Sequence, residues 1–162
     1  MTLNMTISDH GLDLTTQWEG KRAQMYLDSA GNPSIGVGHL LTKGEKDIGQ
    51  INIAGEIVNW NSGLSDMQIE DLLRQDMYSA QCTVNRVITE DVNQNQFDAL
   101  CDLCFNIGGG AFADSHVIIY INSGQMDLVP DAFRMWNRAG GQVIQGLVNR
   151  RENEVKLWLG EI

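Results

Sequence analysis

Apolar positions along the chain change period twice, and the changes outline the elements. Ser8 is an N-capping residue ahead of Leu12 and Thr15–Thr16 at helical spacing. A first helix is therefore predicted to close at Trp18 and Glu19, with Gly20 as its stop. From Gln24 the period shortens. Residues 25–28 and 34–38 read as two short strands around a turn at 29–33, and Gly36 and Gly38 alternate with Ile35 and Val37. One face of the returning strand then carries no side chains, a pattern that marks close approach of a ligand or another backbone. Residues 42–63 are polar, but Ile53, Ile57 and Trp60 at i, i+4 and i+7 predict a short amphipathic helix.

Beyond residue 64 the period is helical throughout. Ser65 with Gln68 three positions on forms a capping-box pattern, which opens a long helix through Leu72, Leu73, Met77 and Ala80 towards Val84. A second long helix is predicted over 94–107, with Phe97, Leu100, Cys101, Cys104 and Phe105 on one stripe and glycines 108–110 at its end. Shorter helices are expected around 114–122, 127–136 and 148–159. The predicted class is α+β and mostly helical, one domain over 1–162. A hairpin lobe occupies about 20–64 and a connecting helix about 65–85. A helical lobe takes up about 86–162 together with the N-terminal helix.

Composition narrows the function classes. The 162 residues include 11 Lys and Arg against 21 Asp and Glu, a net charge of −10. A chain of this length buries roughly 70% of its unfolded surface, enough for a core without staples. The acidic balance argues against nucleic acid and against an anionic membrane surface as partners, since both demand clustered cations. No stretch of about 18 apolar residues occurs, and the N-terminus lacks a basic start with an apolar run. Neither membrane insertion nor a signal peptide is expected, and synthesis into the cytosol of the cell that makes the protein is. The three cysteines, an odd number, fit that reducing compartment. Cys101-x-x-Cys104 lacks the second pair of a zinc site, so all three read as core thiols. Charge is unevenly spread: residues 134–156 hold five basic residues against two acidic, a local +3 that leaves −13 for the rest. That segment is where an anionic group would be expected to dock.

Glu19 ends the first helix, Asp28 lies nine positions on, and Ser34 follows six positions later on the returning strand. Two carboxyl groups and a hydroxyl on facing elements suit glycoside hydrolysis. One protonated carboxyl donates to the leaving oxygen, and an ionised one supports the attacking water. On spacing alone plainer roles come first: a solvated acid at a helix end and two turn residues.

The literal strings add a resemblance. Trp18-Glu19-Gly20, Tyr26-x-Asp28 and Ser34-Ile35-Gly36-Val37-Gly38-His39-Leu40-Leu41-Thr42 closely resemble the phage-type lysozymes of glycoside hydrolase family 24. Their signature spaces Glu, Asp and Thr in this way ahead of an Ile-Gly-x-Gly-His strand. Gln96–Leu100, Phe105–Gly108, Ala111-Phe112, Trp136 and the run from Gly146 to Arg151 with Glu154 extend it over about 140 residues. Residues 43–63 match least. The resemblance implies a lysozyme-like fold and a muramidase that cuts peptidoglycan glycan strands, with inversion and without metal or cofactor. It casts Glu19 as general acid, Asp28 as the residue that orients water, and Ser34 as its helper. Ser34 stands where the family usually has Thr, so the stiffening methyl is missing. The match also places Leu40, Phe105, Ser115 and Arg150 along the substrate, with Arg150 or Arg151 beside Glu19. Phe105 fits a core position equally well, and Arg150 a surface helix charge. His39 is assigned a structural role, paired with a carboxylate such as Asp76. An endolysin is implied, a monomer released to the wall by a separate holin. The alternatives are a catalytically weakened wall-binding module of the same fold, a secreted effector or tail component, and, more remotely, a transglycosylase.

Overall fold

The computed structural model describes residues 4–162 and divides them into two compact units, Leu12–Tyr78 and the segments up to Gly11 and from Ser79 to Ile162. The division falls inside two helices, α1 (Asp9–Glu19) and α3 (Asp66–Val87). The described residues are mainly helical with three small antiparallel sheets, an α+β architecture.

In the unit Leu12–Tyr78, the end of α1 passes through Gly20, whose N–H donates to Thr16 O, into β1 (Arg22–Leu27). β1 pairs with β2 (Pro33–Gly36), and β2 with β3 (His39–Leu40). The returning strand predicted over 34–38 stops at Gly36. Gly36 and Gly38 have φ of +67° and +68°, so the chain turns through Val37 instead of running on with one bare face. Ile35 and Val37 are buried, and bare Gly36 approaches Leu72 and Ile69 of α3. The capping box of α3 is present, with Gln68 N–H donating to Ser65 Oγ and Ser65 N–H to Gln68 Oε1.

The helix predicted through Ile53, Ile57 and Trp60 does not form. The segment instead builds α2 (Lys43–Ile48), the hairpin β4 (Gln50–Ile53) and β5 (Glu56–Asn59), and a 3-10 turn at Trp60–Ser62. Burial follows a period of two: Ile51 and Ile53 are buried while Ile57 is 64% exposed. Ala54 and Gly55 carry φ of +52° and +88°, as a two-residue hairpin turn requires. The Gln75 side chain of α3 clamps this turn, accepting from Ala54 N–H and donating to Asn52 O. That contact spans more than 20 residues, so helical spacing in the segment gave no hint of it.

The other unit is built from α4 (Gln94–Ile107), α5 (Gly109–Ala113), α6 (His116–Asn122), α7 (Val129–Arg134) and α8 (Gln145–Trp158), with the two-residue strands β6 (Arg138–Ala139) and β7 (Gln142–Val143). Glycines 108–110 end α4 and at once begin α5, which the sequence reading had merged into the stop. Phe97, Leu100, Leu103, Phe112, Val117, Ile121, Val129 and Phe133 are fully buried there, and Phe133 meets Trp158 at 6.0 Å between ring centres. Cys101 and Cys104 are core thiols, and burial raises both thiol pKa values, that of Cys104 to about 11. Cys82 is exposed, against the expectation that all three cysteines are buried, because it lies off the apolar face of α3. Among the described residues no helix is long and apolar enough to cross a membrane.

The local +3 of residues 134–156 is largely cancelled by folding. Arg134 pairs with Asp131 and Glu152, Arg150 with Asp102, and Arg151 with Glu154. Asp102 and Asp131 lie outside the segment, so counting along the chain missed them. The segment is not the open cationic face that its composition suggests.

Candidate active site

Five of the residues singled out by sequence lie in the unit Leu12–Tyr78. Glu19 is the last residue of α1 and half-buried. A Cβ on Gly38 would lie only 2.9 Å from Glu19 Oε2, so the carboxyl group rests on the one residue type that leaves it room. The close approach inferred from the two glycines is therefore real at Gly38, and its partner is a side chain of the protein.

Asp28 opens the β1–β2 turn and organises it. Its Oδ1 accepts from the N–H groups of Ala30 and Asn32 at 2.9 and 2.8 Å, and its Oδ2 from Asn32 Nδ2 at 3.2 Å. Donation from the Asn32 backbone, then from the Asn32 side chain and Ala30, outweighs desolvation and holds the Asp28 pKa below its ordinary value. Asp28 is a carboxylate at neutral pH. Ser34 is buried, and its Oγ donates to Asn32 O over a long 3.3 Å. Asn32 thus ties Asp28 to Ser34, and sequence reasoning overlooked it. Its signal was there: an Asx-type turn in which Asp captures N–H groups two and four residues on.

Across the sheet Ser34 is the register partner of Leu40, which is 54% exposed. His39 next to it is clamped by two carboxylates, Nδ1 to Asp76 Oδ2 at 2.7 Å and Nε2 to Glu45 Oε2 at 3.1 Å. Glu45 also closes the capping box of α2, accepting from Thr42 N–H while Thr42 Oγ1 accepts from Glu45 N–H. Burial disfavours the imidazolium, but the hydrogen bonds and charges of Asp76 and Glu45 outweigh it, and the His39 pKa lies above its ordinary 6.5. Burial likewise opposes ionisation of Glu45, yet donation from Thr42 and His39 leaves its pKa below 4.5.

The signs define a window. A raised His39 pKa contributes stability below about 6.5 that is lost as pH rises through the folded value. A depressed Glu45 pKa contributes stability above about 4.5 that is lost as pH falls through its folded value. His39→Gln is therefore expected to cost about 1–2 kcal/mol between these limits and less at pH 8. Urea unfolding of both proteins across pH 4–8 measures this, and a difference independent of pH would refute it.

Phe105, Ser115 and Arg150 belong to the other unit. Phe105 is half-buried on α4. Ser115 is buried, donating to Phe112 O at 2.7 Å, and lines a cavity of about 350 Å³ with Ala111, Asp114, His116, Met135 and Trp136. Arg150 is buried as well, which removes the reading as a surface helix charge. Its Nε and NH2 donate to both oxygens of Asp102 at 3.0 and 2.9 Å. Arg151 is 1% exposed and donates to Asn106 Oδ1, Trp136 O and Glu154 Oε1. Arg151 Nε and Glu154 Oε2 are 2.7 Å apart but not aligned as a hydrogen bond, so that contact is one of charge. Burial, reinforced by nearby Asp102, pushes the Glu154 pKa upward. Among the described residues no three His, Cys, Asp or Glu side chains are placed to hold one metal ion.

Residues 16–154 match the protein family described as Phage lysozyme. The chain is 35% identical to the endolysin of Bacillus phage PZA over 95% of its own length and 55% of that protein's, so it spans about half of that relative. Two solved structures are similar over nearly their whole length. The endolysin from Escherichia coli O157:H7 phage FAHEc1 has a TM-score of 0.84 at 32% identity, covering 100% of this chain and 98% of that one. The muramidase domain of SpmX from Asticaccaulis excentricus has a TM-score of 0.78 at 31% identity, covering 96% and 99%.

Proposed function

The chain belongs to the phage lysozyme family, and we propose that it is a muramidase acting on peptidoglycan, with Glu19 as general acid and Asp28 orienting the attacking water. It cleaves the β-1,4 bond between N-acetylmuramic acid and N-acetylglucosamine. The observation that supports these roles best is the Asp28 turn, whose N–H groups keep one carboxyl ionised and tie it through Asn32 to Ser34. Glu19 comes from a different element and rests on Gly38. Two carboxyl groups in unlike surroundings are what separates an acid from a water-orienting carboxylate in glycosidases.

Glu19 delivers its proton to the glycosidic oxygen as the bond to the anomeric carbon breaks. Water held by Asp28, with the Ser34 hydroxyl alongside, attacks that carbon from the opposite face and inverts it. Leu40, exposed beside Ser34, offers an apolar contact to the sugar, and Phe105, Ser115 and Arg150 are assigned to the substrate by the family match. Purified protein incubated with cell-wall sacculi tests the reading. Soluble fragments with new reducing ends, one water heavier than the anhydro sugar and inverted at first release, are expected. Bound but uncut glycan would replace the enzyme by a wall-binding module, and anhydro products would replace hydrolysis by transglycosylation.

Ser34→Ala removes a hydroxyl worth about 1–1.5 kcal/mol, so turnover is expected to fall about 10-fold, whereas Ser34→Thr keeps the parent rate or exceeds it. Parent-like rates in both variants would deny the hydroxyl any part. In its biological setting we place the protein as a monomeric endolysin. It is made in the host cytoplasm and passed to the wall through a holin pore.

A further inference from the structure

The unit Leu12–Tyr78 carries a cavity of about 230 Å³, lined by Gln24 and Met25 of β1 and by Trp60 and Asn61 of the 3-10 turn. Two backbone links hold its walls: Leu64 N–H donates to Ala23 O at 2.9 Å and Trp60 N–H to Gly49 O at 3.3 Å. The half-buried Trp60 indole is fixed by its own N–H, which donates to Glu45 O at 2.9 Å. With that donor used, the ring offers a ligand only its apolar surface. The two carboxamides are seated on glycines. A Cβ on Gly63 would lie 2.5 Å from Gln24 Nε2, and one on Gly49 2.8 Å from Asn61 Nδ2. Both glycines have positive φ, +84° and +71°, so backbone and contact alike reserve these places for glycine. Among the described residues neither carboxamide hydrogen-bonds to another protein group, which leaves each with donors and an acceptor to give. Nor, among the described residues, does a charged side chain line the cavity.

That lining selects a ligand class. An apolar ring and the Met25 thioether beside two neutral amides suit a small ring with an apolar face and several hydroxyl or amide groups, and they give a charged group no counter-ion. The volume lies below the roughly 300–1,000 Å³ of drug-sized sites, which limits the occupant to about one such ring. We propose that this cavity is an accessory glycan site, in which an N-acetylglucosamine of the peptidoglycan strand lies on the Trp60 indole while Gln24 and Asn61 hydrogen-bond its hydroxyl and acetamido groups. This rests on the protein acting on peptidoglycan. β1, which supplies Gln24 and Met25, runs on to Asp28 at the β1–β2 turn, so one strand serves both this cavity and the water-orienting carboxylate. Trp60 and Asn61 fall within residues 43–63, outside the motifs that carry the family resemblance. Because the indole and both amides are held in place before binding, a sugar pays little to order them.

Isotope-labelled protein titrated with N-acetylglucosamine and followed by NMR reads the site directly. The Trp60 indole N–H and the side-chain amides of Gln24 and Asn61 are expected to shift together along one saturable curve in the millimolar range. Glucose, which lacks the acetamido group, shifts them less. Gln24→Ala combined with Asn61→Ala removes both amides from exposed positions, so the unfolding midpoint stays where it is. The double variant is expected to lose the Trp60 response and to raise KM on sacculi about 5–10-fold, with kcat within about twofold of the parent. Absent or unsaturable shifts, a Trp60 response that persists in the double variant, or an unchanged KM overturns the proposal. A response to the dipeptide alanyl-glutamate in place of the sugar overturns it as well. Turnover of sacculi by the parent separates the two readings. If the parent cuts them while the shifts are absent, only the accessory site falls. If it cuts nothing, the muramidase reading fails, and the titration still decides whether this cavity takes the sugar.

Discussion

Glu19→Gln is expected to cut turnover on cell-wall glycan by about 10²–10⁴-fold while leaving the unfolding midpoint where it is. The amide has the shape of the acid, so it can occupy the same place on Gly38. It has no proton to give the leaving oxygen, and an unprotonated sugar alkoxide is a poor leaving group. Asp28 cannot substitute, because the N–H groups of Ala30 and Asn32 hold it ionised. Release of reducing ends from sacculi, followed beside thermal unfolding, reads both quantities. A variant that keeps a tenth or more of the parent rate would place the acid elsewhere in the protein. One that loses rate and stability together would mean that Glu19 supports the fold first.

The second large effect concerns the buried charges of the other unit. Removing Arg151 with Arg151→Ala leaves the buried Glu154 carboxyl, and the half-buried Asn106 and Trp136 acceptors, without their shared donor. Breaking one partner out of a buried ionic cluster typically costs about 3–5 kcal/mol, a large part of the roughly 5–15 kcal/mol that holds a domain together. Arg134 provides the contrast. It touches two carboxylates, Asp131 and Glu152, against the single Glu154 of Arg151, but its side chain is 42% exposed and the pairs face solvent. Arg134→Ala is therefore expected to cost about 1 kcal/mol or less. Urea unfolding of the two variants decides the matter, and equal losses would show that burial is not what sets the value of these pairs.

Much of this protein is local and is therefore written in short stretches of sequence. α4 runs from Gln94 to Ile107 because a 3.6-residue stripe, an Asn93 capping box and a glycine stop all agree on it. The start of α3 at the Ser65 capping box and the end of α1 at Glu19 follow in the same way. The candidate chemistry was read in the same way. Glu19, Asp28 and Ser34 stood out by residue type and order, and the ordered strings around them carried the family resemblance over most of the chain.

Other features depended on partners distant in sequence. Ile53, Ile57 and Trp60 have helical spacing, yet a hairpin formed, since burial of Ile51 and Ile53 and the clamp from Gln75 outweigh a weak local period. Two of the three excess charges of residues 134–156 are cancelled by Asp102 and Asp131. Asn32 and Gly38 acquired their places beside the carboxyl groups only once β1 was laid against β2. Caps, stops and amphipathic stripes are satisfied within a few residues, so sequence by itself determined where the long helices run and which acids to suspect. Charge pairing, strand register and the seating of a side chain on a bare glycine are contacts between distant segments. Tertiary structure alone decided those, because their energy exists only once both partners have been desolvated together.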